Sequence, residues 1–168
     1  REYSSAASDV YKRQPLALIA IGLSYCFKNN IYNIGAEGQL TMGAIFGGGI
    51  GILFHDTNAF WLLPLMIFAG AIGGALWGLI PAILKTKFNT NEILTSLMLV
   101  YVALFILDYL VVGPWKDPFG YSFPKSRPFS ESGRMPLLFD GLRVHFGLII
   151  TLFLIFVSWF IFSKTIFG

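Results

Sequence analysis

The sequence is poor in nearly everything that soluble enzymes use. Only 12% of its 168 residues are charged, about half the usual share of a soluble domain. It has one cysteine, Cys26, so there is no disulfide framework, and that residue sits in an apolar run where a buried bystander is the expected role. The two histidines, His55 and His145, have no cysteine or carboxylate at metal-ligand spacing, which leaves no metal site to assign. There is no GxxxxGK[ST] phosphate loop and no nucleophile elbow. The net charge is +3 and the basic residues do not cluster, which argues against nucleic acid as a partner. Strict apolar/polar alternation is also missing, and a membrane β-barrel would require it.

What is there is apolar. Hydrophobic residues make up 55% of the chain, with 17 Phe, 18 Gly and a mean hydropathy of +0.68. A soluble fold of this size could not bury so much apolar surface. The expectation is an all-α polytopic membrane helix bundle with four to five hydrophobic segments. Residues 1–14, REYSSAASDVYKRQ, differ from the rest: they are polar, aperiodic and carry five charges. They lack the apolar core of a signal peptide, and they are expected to be a non-native, unstructured scar outside the domain at 15–168. Five apolar runs follow, at Pro15–Phe27, Gly38–Phe54, Ala59–Leu84, Ile93–Val112 and Phe146–Phe162. The first is short of the roughly 20 residues a span needs, and the others qualify. His55–Asn58 is a tight turn and Lys85–Glu92 a short polar loop. Gly113–His145 holds five prolines and reads as an ordered extramembrane loop. Lysine and arginine fall on both sides of the expected spans, so charge alone leaves orientation open.

Gly43, Gly47 and Gly51 recur every four residues, and so do Gly70, Gly74 and Gly78. This spacing places each trio on one helix face. Such faces let helix backbones approach closely where lipid gives little drive for association. The two runs are therefore expected to pack antiparallel through their glycines. Pro81 would free the carbonyl of residue 77.

Polar residues interrupt the apolar pattern twice. In Asn29–Gln39, Asn33 and Gly35 suit a break and restart of helix, with Asn33 as a cap and Glu37 in the first turn. Short, interrupted hydrophobic segments build the broken helices of transporters; a capped interfacial loop would look the same. The second is Asn89–Ser96, where Asn89 and Glu92 have capping-box spacing and Thr95 and Ser96 follow. The substrate-path candidates are thus Asn33, Glu37, Gln39, Asn91, Glu92, Thr95 and Ser96. Asp108, inside a span, is a further candidate, although it lies near the span's end. No acid, base or metal groups converge, so no catalytic residue is assigned; a passive channel or a membrane-embedded enzyme is the competing class.

The stretch IYNIGAEGQLTMGAI (31–45) is similar to the FNIGAEGQ signature of permease subunits of ABC importers, in the branch for nucleosides and simple sugars, which is related to branched-chain amino acid permeases. Residues 74–103, GPWKDP (113–118), PFSESGRMP (128–136) and SKTIFG (163–168) resemble the same family in register. The resemblance implies a multi-pass plasma-membrane permease that forms a translocation path by alternating access. It implies a second permease subunit, a cytoplasmic ABC ATPase that uses the ATP, an extracytoplasmic substrate-binding lipoprotein and no cofactor in this chain. It implies that 113–145 is external and 85–92 cytoplasmic, and that further spans and an ATPase-docking helix belong to a longer protein. One position departs: where the family often has Asn in MLNYIA, this chain has Val100.

Overall fold

A computed structural model describes residues 2–57, 59–118, 125–129, 133 and 147–164. Among these residues there are five helices: α1 (Glu2–Lys28), α2 (Ala36–Leu53), α3 (Leu62–Phe88), α4 (Glu92–Val112) and α5 (Gly147–Lys164). The one extended pairing among them is an isolated antiparallel bridge between Lys116 and Ser126. Two helices, α3 and α4, are long and apolar enough to cross a membrane by length and composition. Four to five such segments were expected. In α2 the glycines contribute little hydropathy and Glu37 and Gln39 stand in the first turns.

The helices group into two units. Within residues 31–134, α2 and α3 run antiparallel through the connection 54–61, where the rings of Phe54 and Trp61 meet edge to face at 5.7 Å. The glycine trios lie in this contact. A methyl group added at Gly43 would stand 2.9 Å from the carbonyl oxygen of Gly70, and one at Gly47 would stand 2.7 Å from that of Met66. Gly70 and Gly74 come equally near the backbone of Gly43 and Gln39, at 3.1 Å each. The run Gly47–Gly51 does more than the four-residue spacing indicates. Gly48 receives the ring of Phe129, Gly49 receives Trp115, and Gly51 receives Phe129 and the Met66 methyl. The loop after α4 therefore folds back onto the end of α2. The backbone bonds Asp117 N–H to Lys125 O and Arg127 N–H to Trp115 O hold its described part together. The core of this unit is Met42, Ile45 and Ala103, with Trp77, Leu107, Leu110 and Trp115 against it.

The polar loop expected at 85–92 is shorter in the structure. Helix α3 continues through Lys85 and Lys87 to Phe88, because cations in a last turn suit the negative end of the helix dipole. Asn89 then takes a left-handed conformation, φ 52° and ψ 35°, which asparagine tolerates and which stops the helix. Only residues 89–91 connect α3 to α4.

The second unit, residues 1–30 and 135–168, contains α1 and α5. Here the structure differs from the sequence expectation, since residues 2–14 are helical in unbroken continuation of the apolar run. Extending an existing helix costs far less than nucleating one, and Ala6, Ala7, Lys12, Arg13 and Gln14 are good helix formers. Arg13 and Gln14 lie beside Leu148, Thr151 and Leu152 of α5 along a groove of about 200 Å³. Thr151 is buried and returns its hydroxyl to the Gly147 carbonyl at 2.8 Å.

Candidate functional site

The two polar interruptions, nearly sixty residues apart in sequence, meet at one end of the α2–α4 bundle. Because α3 runs antiparallel to both neighbours, the start of α2, the end of α3 and the start of α4 share that end. The junction is built around Ser96, which is 2% exposed. Its hydroxyl donates to the Ile93 carbonyl at 3.1 Å and accepts the Ile34 N–H at 3.3 Å. The hydroxyl therefore ties the irregular segment before α2 to the first turn of α4. The approach is close enough to demand glycine: a Cβ at Gly35 would lie 2.9 Å from that of Ser96, and one at Gly38 would lie 3.0 Å from the Cα of Val100.

Asn33 does not cap α2. The N-cap is Gly35, which makes no side-chain capping bond. Asn33 Oδ1 instead accepts the Gly35 N–H at 2.9 Å, closing a local turn two residues long. This turn aims the Ile34 N–H outward toward Ser96. Glu37 is exposed in the first turn of α2, where the dipole favours it. Gln39 is half-buried and turns to α3, with its amide nitrogen 3.0 Å from where a Gly78 Cβ would stand.

At the start of α4, the cap is Asn91 rather than Asn89. Asn91 Oδ1 accepts from the N–H groups of Ile93 and Leu94 at 3.0 and 3.4 Å. The capping-box spacing of Asn89 and Glu92 is thus incidental, because Asn89 is already committed as the left-handed stop of α3. Glu92 pairs across the turn with Lys85, Oε2 to Nζ 2.7 Å, pinning the α3–α4 hairpin. Thr95 is half-buried and bonds back to the Asn91 carbonyl at 2.8 Å.

The structure therefore brings Asn33, Gly35 and Ser96 into one cluster. It sets Asn91, Glu92 and Thr95 on the adjacent turn, places Gln39 on the α3 side of α2, and leaves Glu37 at the surface. Chemically this is a hydrogen-bonding junction with no nucleophile beside a base. Among the described residues, no group of three His, Cys, Asp or Glu side chains could hold a metal ion. Sequence reasoning missed two parts of it, the Lys85–Glu92 pair and the close approach at Gly35 and Gly38. Opposite charges flanking a short turn were the available signal for the first. For the second the only signal was that both glycines fall within the NIGAEGQ stretch, since they match no helical repeat. Val100, the departure from the family pattern, is 6% exposed and packed on Gly38, so it is a helix-contact position here.

An all-helical bundle of apolar helices, closed by glycine contacts and carrying a clasped helix break, belongs among helical membrane proteins. The profile of the family described as "Branched-chain amino acid transport system / permease component" matches residues 10–168, and the chain belongs to that family. Similar curated proteins include the glucose ABC transporter permease protein TsgB13 of Haloferax volcanii, 36% identical over 165 residues, covering 92% of this chain and 43% of that protein. The guanosine ABC transporter permease protein NupP of Bacillus subtilis is 33% identical over 156 residues, 90% of this chain and 43% of its own length. The nucleoside ABC transporter permease protein NupB of Lactococcus lactis is 28% identical over 161 residues, 92% of this chain and 44% of its own. The chain thus spans less than half the length of these relatives. No solved structure matches it.

Proposed function

We propose that this chain is part of the permease subunit of an ATP-driven importer for nucleosides. The observation that carries the reading is the family match over residues 10–168, together with relatives named for guanosine and nucleoside transport. In this reading the protein is a multi-pass subunit of the plasma membrane with four to five spans in the present segment. Loop 113–145 is external and the α3–α4 turn cytoplasmic. ATP is hydrolysed by a separate cytoplasmic ATPase, a second permease subunit completes the pore, and an extracytoplasmic lipoprotein delivers the substrate. The chain itself is no enzyme and holds no cofactor. Segments 29–39 and 89–96 border the translocation path. Polar backbone at membrane depth is tolerated only where protein or water faces it, and the hydrogen-bonding groups of Asn33, Gln39, Asn91 and Thr95 suit a neutral solute rich in donors and acceptors. Glu37 and Glu92 set the helix starts, and Ser96 holds the two segments together.

The test is ATP-dependent uptake by the complete permease, reconstituted with its ATPase and binding protein. Guanosine uptake that glucose does not compete for is the expected result. The glucose-named relative gives a specific reason for a second reading, a simple-sugar importer. Uptake of glucose with no uptake of nucleoside would establish that reading and overturn the first.

A further inference from the structure

The polar side chains around the helix break are not equally free. Asn33 Oδ1 closes the turn to Gly35, and Asn91 Oδ1 caps α4. Thr95 and Ser96 donate their hydroxyls to carbonyls one turn back. Glu92 pairs with Lys85, and Glu37 is exposed. Gln39 differs from all of them. It is half-buried, and among the described residues its side-chain amide makes no hydrogen bond.

The depth of Gln39 gives this weight. Its side chain crosses onto α3, with Nε2 3.0 Å and Cδ 3.3 Å from where a Gly78 Cβ would stand, so the amide rests on the α3 surface that glycine leaves bare. Gly78 precedes Lys85, the first charged residue of α3, by seven residues, about 10 Å along the helix. The start of α2 is therefore recessed from the charged end of α3, and the amide lies within the apolar span rather than at its rim. Two more polar groups at this level of α3 lack their usual partners. The Trp77 indole N–H is buried with no acceptor among the described residues, and Pro81 has no N–H to offer the Trp77 carbonyl. Unpaired polar groups at membrane depth are kept where protein or water faces them.

Resting on the importer reading above, we infer that Gln39 is the residue of segment 29–39 that hydrogen-bonds the nucleoside in the translocation path. The chemistry fits that class of solute. A side-chain amide carries two N–H donors and a carbonyl acceptor in one plane. It meets an adjacent donor and acceptor on a base edge at once, as the N1–H and O6 of guanine present them. The amide is also neutral, so it holds a neutral solute without adding charge to an apolar span, where charge is costly. The remaining polar side chains of the break hold the backbone around it in place.

The test uses the full-length permease in its complete complex, with native cysteines replaced, Cys26 included. Guanosine uptake by this parent is measured first; its absence overturns the importer reading and this inference with it. With uptake established, Gln39→Leu keeps the size of the side chain and removes its hydrogen-bonding groups. Guanosine uptake at saturating, loaded binding protein should fall about three- to tenfold, the range for one lost neutral hydrogen bond. The melting temperature of the complex should stay at or above that of the parent, because an apolar side chain suits the α3 surface better than an unpaired amide. A packing role would give the reverse, a lower melting temperature. Gln39→Cys supplies the second readout: in nanodiscs, where both faces are open, a water-soluble thiol reagent should label it, and guanosine-loaded binding protein should slow the labelling. Unchanged guanosine uptake in Gln39→Leu, uptake that falls only together with the melting temperature, or labelling of Gln39→Cys that is absent or indifferent to guanosine would each overturn the inference while the importer reading stands.

Discussion

Substituting Gly47 tests the packing of α2 on α3 most directly. A Cβ there would meet the Met66 carbonyl oxygen at 2.7 Å, where an ordinary contact begins at 3.4 Å, a shortfall of about 0.7 Å. The obstacle is backbone, so no rotamer change relieves it, and the two helices must separate. At the adjacent Gly48, the nearest atom to an added Cβ is the ring edge of Phe129 at 3.5 Å, already an ordinary contact. The pair therefore separates packing from intrinsic helix preference. Glycine to alanine in a helix interior gains up to about 1 kcal/mol from propensity alone, and Gly48→Ala should keep that gain. Gly47→Ala should lose it and more, since overpacking a tight site costs about 1–3 kcal/mol. Gly47→Leu, which must also place its branched side chain, should fall further or fail to assemble. The assay is thermal stability of the full-length complex in detergent, read by the temperature at which the monodisperse peak is lost. The expected order is Gly48→Ala at or above the parent, then Gly47→Ala, then Gly47→Leu. If Gly47→Ala is as stable as Gly48→Ala, the α2–α3 contact is not the close backbone approach described.

Four further outcomes follow from the junction at the other end of the bundle. Ser96→Ala removes the acceptor for the Ile34 N–H at a buried site and should cost about 1–3 kcal/mol, seen as a lower melting temperature of the complex. Thr95→Val, whose hydroxyl only bonds back to its own helix, should change the same readout by no more than about 0.5 kcal/mol. Asn91→Ala should lose about 1 kcal/mol of capping energy and Asn91→Asp should keep it; equal losses in the two variants would remove Asn91 as the cap. The Lys85–Glu92 pair is partly solvated, so a double-mutant cycle with Lys85→Met and Glu92→Gln should give a small coupling that vanishes in molar salt. A salt-independent coupling would contradict that account.

Much of the fold was legible because its rules are local. The apolar runs gave the central spans to within a few residues, since in an apolar setting a helix is the one way for a run to satisfy its own backbone. The four-residue glycine spacing pointed to the face on which α2 and α3 meet, because that spacing is itself the geometry of one helix face. What was misplaced were the ends. Asn89 and Asn91 are the same residue type two positions apart, yet one stops α3 and the other starts α4. Either role suits asparagine, and only the extension of α3 through Lys85 and Lys87 decides between them.

The candidate site was less legible for a reason that lies in the chemistry of its residues. A hydroxyl or amide beside an apolar span reads equally well as a cap, a clasp or a wall of a path, since all three call for the same hydrogen-bonding groups. What separates the roles is the partner, and the partner is distant in sequence. Ser96 is a clasp because Ile34 faces it, with Gly35 leaving the room to do so. Asn33 closes a turn because the next free N–H is two residues away at Gly35. Tyr101 and Asp108, which the apolar pattern gives no cause to single out together, become one surface only once Val100 and Ala103 are seen to occupy the opposite side of α4. Helical period fixes which residues share a face, whereas the neighbouring helix decides which face is buried, and on α4 that choice is made at glycines of α2 such as Gly38.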